Sequence, residues 1–235
     1  MVDKSPARIR EMFDQISSRY DFLNHLLSLN SDVLWRRRAA GKIGPARRVL
    51  DVCSGTGDMA FEIRRATGAE VVGSDFALRM LQIARLKSRR RSLDGHIRFH
   101  QADTLRLPYR DATFDAATVA FGIRNVADGA RGIGEMARVV RPGGRVVILE
   151  FTLPENAVLK SGYLFYFGRV LPKVGRMIAR SEIDAYKYLP ASVARWPRPE
   201  ELKAQMEAVG LRDVTYDLVF GGVAAIHVGT RADVC

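Results

Sequence analysis

Cysteine is almost missing from this chain: there are two, Cys53 and Cys235, far apart. That excludes a disulfide framework and the paired spacings of structural zinc, and it favours a reducing cytoplasm. Long apolar runs are missing too. The greasiest stretch, Val158 to Leu171, is interrupted by Lys160 and Arg169 and followed by Pro172 and Lys173, too short and too broken to cross a bilayer. Met1-Val2-Asp3-Lys4-Ser5-Pro6 has no apolar stretch behind it, so no secretory signal is expected. Acids are outnumbered, 26 against 37 basic residues, for a net charge of +11. Such a surplus suits RNA, an anionic membrane surface, or a solvated face with no partner. The runs Arg36-Arg37-Arg38 and Arg89-Arg90-Arg91 are not interleaved with the aromatics that a base-stacking surface requires. Repeats, low-complexity tracts and long linkers are also absent, and residues 1–235 read as one domain with additions.

What is present is alternation. Residues 7–29 carry Ile9, Met12, Phe13, Ile16 and Tyr20 at helical spacing, which predicts one or two opening helices, either a packed helix or a lid reaching to about residue 40. Strands are then expected near 47–52, 70–75, 97–101, 114–120, 145–151, 213–219 and 223–229, with helices near 58–67, 77–89, 128–140 and 199–209. That rhythm implies a mostly parallel seven-stranded sheet covered on both faces. Pro142-Gly143-Gly144 reads as a break before the fifth strand, and Gly210 as a helix-terminating glycine. Only Phe220-Gly221-Gly222 separates the last two strands, which permits a hairpin and forbids a parallel crossover. The last strand should therefore run antiparallel, as in S-adenosylmethionine (SAM)-dependent methyltransferases and unlike NAD-binding folds. Residues of about 152–190 break the rhythm with an apolar, aromatic insertion at the strand ends, suited to covering a crevice.

The run Val49 to Ala60 reads as strand, glycine turn and helix start. Gly55 and Gly57 let the backbone turn tightly and approach a ligand, and a helix from Asp58 directs free N–H groups there. Alone, the run admits SAM, a dinucleotide through Gly55-x-Gly57-x-x-Ala60, or a plain structural turn. Asp51 tilts the balance, because a carboxylate there repels pyrophosphate and suits the ammonium of an amino acid. Asp75 ends the second strand about twenty residues past the turn, where an acid accepts from ribose hydroxyls. Phe76 can pack on adenine, and Asp103 can accept from the adenine amino group. After the fourth strand, Phe121-Gly122-Ile123-Arg124-Asn125 lacks the Asn/Asp-Pro-Pro-aromatic tetrad of enzymes that methylate the amino groups of bases or glutamine. No metal-ligand spacing is visible.

Met12-Phe13-Asp14-Gln15-Ile16-Ser17-Ser18-Arg19-Tyr20-Asp21-Phe22-Leu23-Asn24 resembles the opening signature of the ubiquinone/menaquinone biosynthesis C-methyltransferases, as does Trp35-Arg36. Phe121 to Val126, Arg138 to Gly144, Leu149-Glu150-Phe151, Asp184 to Ser192 and Gly221 to His227 resemble its later blocks, in order, so the resemblance spans residues 8–230. It implies the class I SAM-dependent methyltransferase fold, Rossmann-like, and methylation of a ring carbon on a reduced polyprenyl quinone. SAM contacts would fall on Thr56, Asp75, Asp103 and Thr104, and on Ala120, where the family often has a serine whose hydroxyl is missing here. The forms of the last two blocks lie closer to menaquinone-only members than to dual-function ones that also methylate a ubiquinone precursor.

On this reading Arg124 steadies the developing phenolate, since a guanidinium keeps its charge and preorganised donors stabilise an oxyanion. Asn125 orients the second oxygen, and Tyr20, Asp184, Tyr186 and Tyr188 line the ring pocket. The proton acceptor stays open among water, Asp21, Asp184 and His227, of which His227 reads first as a core histidine. The expected partner is a polyprenyl quinol, with transient contact to an anionic membrane surface, no nucleic acid and no metal. A homodimer is compatible with it, as is a cytoplasmic protein peripheral to the inner face of the membrane. Competing readings are a SAM enzyme acting on RNA or a soluble small molecule, and a non-catalytic scaffold.

Overall fold

The computed structural model describes residues 28, 30–165, 188 and 190–232. Tyr20, Asp21, Asp184 and Tyr186 lie outside these, as do nearly all of residues 7–29, where opening helices are expected, and most of residues 152–190.

At the centre lies β1, Arg48–Val52, with Val49, Leu50, Asp51 and Val52 all buried. A parallel strand covered on both faces carries just such a continuous run. Helix α1, Ser31–Gly41, precedes it. After it come α2 (Asp58–Thr67), β2 (Glu70–Asp75), α3 (Leu78–Arg90), β3 (Ile97–Gln101) and β4 (Phe114–Ala120). A single 3-10 turn, Ile123–Asn125, leads to α4 (Gly129–Val139), β5 (Val140–Phe151) and α5 (Ala157–Phe165). The chain closes with α6 (Pro199–Ala208), β6 (Leu211–Val219) and β7 (Ala224–Arg231).

The seven strands are ordered β3-β2-β1-β4-β5-β7-β6. Pairings from β3 to β5 are parallel, and β7 is antiparallel to both β5 and β6. The reversal is local chemistry: Phe220, Gly221 and Gly222 all have positive φ, which turns the chain in three residues. Ala224 pairs with Phe151, so this turn sits at the edge where the parallel strands end.

Pro142-Gly143-Gly144 does not precede the fifth strand, as expected, but lies inside it. β5 begins at Val140, and its register on β4 shifts between Phe114 and Ala116. The Pro-Gly-Gly segment is a bulge: Gly143 has φ +73, and a Cβ on Gly144 would lie 2.3 Å from the Asp115 carbonyl oxygen. The signal for a break was real, but it breaks the register and not the strand.

Two cores cover the sheet faces. Trp35, Ala39 and Ala40 of α1, Met59, Phe61 and Ile63 of α2, and Leu81 and Ala84 of α3 pack on one. Ile133 and Met136 of α4 and Leu202 and Met206 of α6 pack on the other. The described part of the expected 7–40 lid, α1, is thus built into the core.

Candidate active site

The carboxyl ends of β1 and β4 are neighbours, and both leave the sheet through left-handed backbone. Cys53 has φ 51 and Phe121 φ 60, a strain that non-glycine residues hold only where the surroundings impose it. Gly122 fits tightly over Cys53; a Cβ there would lie 2.2 Å from the Cys53 Cβ. The Cys53 thiol, Sγ 3.5 Å from Thr104 Oγ1, is pushed far up in pKa by burial and neighbouring carboxylates.

Asp51 is one residue short of the end of β1 and fully buried. Its oxygens accept from Ser54 Oγ at 2.7 Å and Thr118 Oγ1 at 2.8 Å. Burial still pushes its pKa up to about 7, with nearby Asp75 adding to the rise and Arg36 opposing it. Asp75, at the end of β2, accepts from Gly55 N at 2.9 Å and Ala77 N at 2.8 Å. Its carboxylate therefore pins the glycine turn. Gly57 caps α2 with φ +89, and a Cβ there would lie 2.9 Å from Phe99 Cζ. Thr56 and Thr104 are buried, Phe76 and Ala120 half-buried. Asp103 stands two residues beyond β3, exposed, accepting from Leu105 N at 2.9 Å.

Arg124 and Asn125 form the one-turn helix after β4, and both are buried. Arg124 Nη1 donates to the Phe121 carbonyl oxygen and to Glu150 Oε1, each at 2.6 Å, and Nε donates to Ser192 Oγ at 3.4 Å. Glu150, 1% exposed, also accepts from the backbone N of Arg124 and of Phe151. Burial raises its pKa, and the Arg124 charge opposes the rise. Tyr188 Oη donates to Asn125 Oδ1 at 3.0 Å, and burial raises the Tyr188 pKa. A ring cluster adjoins the pair. Phe121 and Phe151 centroids are 4.5 Å apart, and Trp35 lies 6.2 to 6.3 Å from Phe121, Phe151 and Phe220.

One turn and its neighbouring strand ends thus gather Asp51, Gly55, Thr56, Gly57 and Asp75, and the next strand end holds Arg124, Asn125 and Tyr188. His227 stands apart on β7, where its ring contacts Pro199 O at 2.9 Å and burial lowers its pKa. It is a core residue under α6. Glu150 was missed. The signal was available, because it is the lone acid in the apolar run Val146-Val147-Ile148-Leu149-Glu150-Phe151.

The charges suit SAM and oppose a pyrophosphate. Two buried acids, Asp51 and Asp75, repel each other beside the turn, and the Gly55 amide that would greet a phosphate is already given to Asp75. A cationic ligand relieves that repulsion and an anionic one adds to it. Among the described residues no group of three His, Cys, Asp or Glu could hold a metal ion.

A profile of the ubiE/COQ5 methyltransferase family matches residues 1–231. A demethylmenaquinone methyltransferase of Thermus thermophilus is 51% identical over 224 residues, 94% of this chain and 100% of that one. The Geobacter sp. ubiquinone/menaquinone biosynthesis C-methyltransferase UbiE is 47% identical, covering 98% of this chain and 99% of its own. Among solved structures, a SAM-dependent methyltransferase of Thermotoga maritima aligns with TM-score 0.66 at 20% identity, covering 94% of this chain and 98% of that one. Phosphoethanolamine N-methyltransferase 2 of Haemonchus contortus, with S-adenosylhomocysteine bound, aligns with TM-score 0.67 at 13% identity, covering 99% of this chain and 61% of that one. At such identities these two establish the fold, the class I SAM-dependent methyltransferase architecture.

Proposed function

The chain belongs to the ubiE/COQ5 methyltransferase family, and on that premise we propose that it methylates a ring carbon of a reduced polyprenyl quinone, converting demethylmenaquinol to menaquinol. The demethylmenaquinone methyltransferases of Thermus thermophilus and of Deinococcus radiodurans, the latter 47% identical over 97% of this chain, support menaquinone over ubiquinone chemistry.

SAM supplies an electrophilic methyl on a sulfonium when bound. Asp51, wholly buried behind Ser54 and Thr118, would act on its ammonium through space, Asp75 and Asp103 would hold the nucleoside, and Thr56, Thr104 and Phe76 the remaining surface. Ala120 offers no hydroxyl, so that contact is lost. The ring carbon attacks best when the quinol hydroxyl has passed its proton to water. The ring–methyl bond forms as the methyl–sulfur bond breaks, and the ring C–H proton then leaves to restore the aromatic ring. Meanwhile the oxygen charge must be held. Arg124 holds it. Glu150 and the Phe121 carbonyl occupy Nη1, which fixes the plane of the guanidinium and leaves Nη2 for the substrate oxygen. Preorganised donors of this kind need no rearrangement as charge develops. Asn125, oriented by Tyr188, takes the second oxygen through its amide N–H. Holding ring and donor in line supplies the rest.

The observation that carries this reading is the buried Arg124–Glu150 pair on the turn beside the glycine loop. The experiment is methyl transfer to reduced demethylmenaquinone, oxidised demethylmenaquinone and a demethylated ubiquinone-precursor quinol, side by side. Activity on the first alone is expected. Activity on the benzoquinol as well would make the enzyme dual-function, and activity on neither quinol would end the assignment.

The substrate tail favours a membrane encounter. Among the described residues no helix is long and apolar enough to cross a membrane. α5, however, leaves Val158 79%, Leu159 50% and Phe165 56% exposed. Leu159 meets the β6–β7 turn, where Phe220 is 70% exposed. Contiguous exposed apolar side chains beside a site mark an interaction surface, here for lipid.

A further inference from the structure

The methionine end of SAM carries both an α-ammonium and an α-carboxylate, and the residues assigned so far answer only the first. Asp51, Asp75 and Asp103 are all acids, and an α-carboxylate beside them without a cation is repelled. A cation stands on α1. Arg36 and Asp32, one turn apart, are both buried. Arg36 Nη1 donates to Asp32 Oδ2, and Ser28 Oγ donates to Asp32 Oδ1 at 2.6 Å. The Arg36 Cζ lies 5.5 Å from the centroid of the Phe121 ring, at the point where β4 leaves the sheet beside the end of β1. Arg36 is also the cation whose field acts on Asp51. Its Nε and Nη2 make no hydrogen bond within the described residues. Guanidinium presents five donors in a rigid fork, and those of Nε and Nη2 stay available here for an acceptor to complete the set. A carboxylate matches that fork in a bidentate way.

We infer that Arg36 is the clamp for the α-carboxylate of SAM, held in position by Asp32. The two ends of the amino acid then meet opposite charges, Asp51 for the ammonium and Arg36 for the carboxylate. The run Arg36-Arg37-Arg38 accordingly divides its labour: Arg36 turns inward, Arg37 meets Glu62 at 3.6 Å, and Arg38 is exposed. The inference rests on SAM as donor.

The test is calorimetric titration of SAM and of decarboxylated SAM into the wild-type chain, Arg36→Met and Arg36→Lys. Decarboxylated SAM lacks only the group that Arg36 would hold. The wild type is expected to bind it about 10- to 100-fold more weakly than SAM, the size of a charge-assisted contact. Arg36→Met should bring SAM down to the decarboxylated level while the decarboxylated ligand stays within about threefold of its wild-type affinity; Arg36→Lys should fall between. Equal wild-type affinity for both ligands, or equal loss of both in Arg36→Met, overturns the clamp. The wild-type and Arg36→Lys arms decide the matter if Arg36→Met does not fold. No heat from SAM with the wild type would overturn the donor itself, a distinct failure.

Discussion

Asp51 has no exposed surface, and its folded pKa of about 7 lies above the ordinary 3.8. The folded chain therefore holds a proton there that the unfolded chain releases. The stability this gives is complete below about pH 4 and is lost as pH rises through 7. Asp51→Asn should flatten that fall, measured by denaturant unfolding from pH 4 to 8. An ammonium held near Asp51 favours its ionised form through space, so SAM binding near pH 6 should release a proton, seen as a heat that varies with buffer ionisation enthalpy. No proton release would separate Asp51 from the ligand. At Arg124 the prediction is catalytic: Arg124→Ala should lower kcat by about 100-fold or more, the loss of an oxyanion donor, while calorimetric SAM affinity persists. A scaffold would go on supporting quinone synthesis after that change. Glu150→Gln keeps the shape but strands a buried guanidinium, which costs about 3–5 kcal/mol; a lower Tm together with a lower kcat is expected, and an unchanged kcat would remove Glu150 from the site.

Elements follow from pattern wherever burial follows pattern. The strands of the 70–75, 97–101 and 114–120 readings and the 58–67 helix match their observed limits, because apolar runs and glycine punctuation coincide there. α1 escaped the opening periodicity, since its buried face mixes Trp35, Ala39 and Ala40 with the Asp32–Arg36 pair, and a buried ion pair looks like a solvated one in a sequence. The Pro-Gly-Gly bulge escaped for another reason, because a register shift is a property of two paired strands and is written in neither one alone. In the site, Asp51, Asp75 and the glycines were legible as residues at strand ends, whereas the pairing of Arg124 with Glu150 joins positions 26 apart and only the sheet brings them together. The glycine turn makes its own prediction. Gly57→Ala forces φ +89 on a residue with a Cβ that would lie 2.9 Å from Phe99, so it should cost at least about 1 kcal/mol and weaken SAM binding, measured by thermal melts with and without ligand.

Across the molecule, exposed apolar side chains gather at the carboxyl edge of the sheet, where α5, with its exposed Lys160, and the β6–β7 turn meet. Binding to anionic vesicles should weaken with added salt, and Phe220→Ser should weaken it further without changing SAM affinity; equal binding to neutral vesicles would remove the electrostatic part of the account. The topology was legible because a three-residue connection leaves one geometry open, but which side chains of the turn stay exposed was not, since exposure is decided by packing. The seam between β1 and β4 has a practical use. Cys53 is the first residue beyond β1, half-buried under Gly122, its thiol kept protonated by its surroundings. With Cys235 changed to serine, the rate at which a maleimide tags the remaining thiol becomes a clock for loosening of that seam, slowed by whatever occupies the crevice and readable by mass spectrometry.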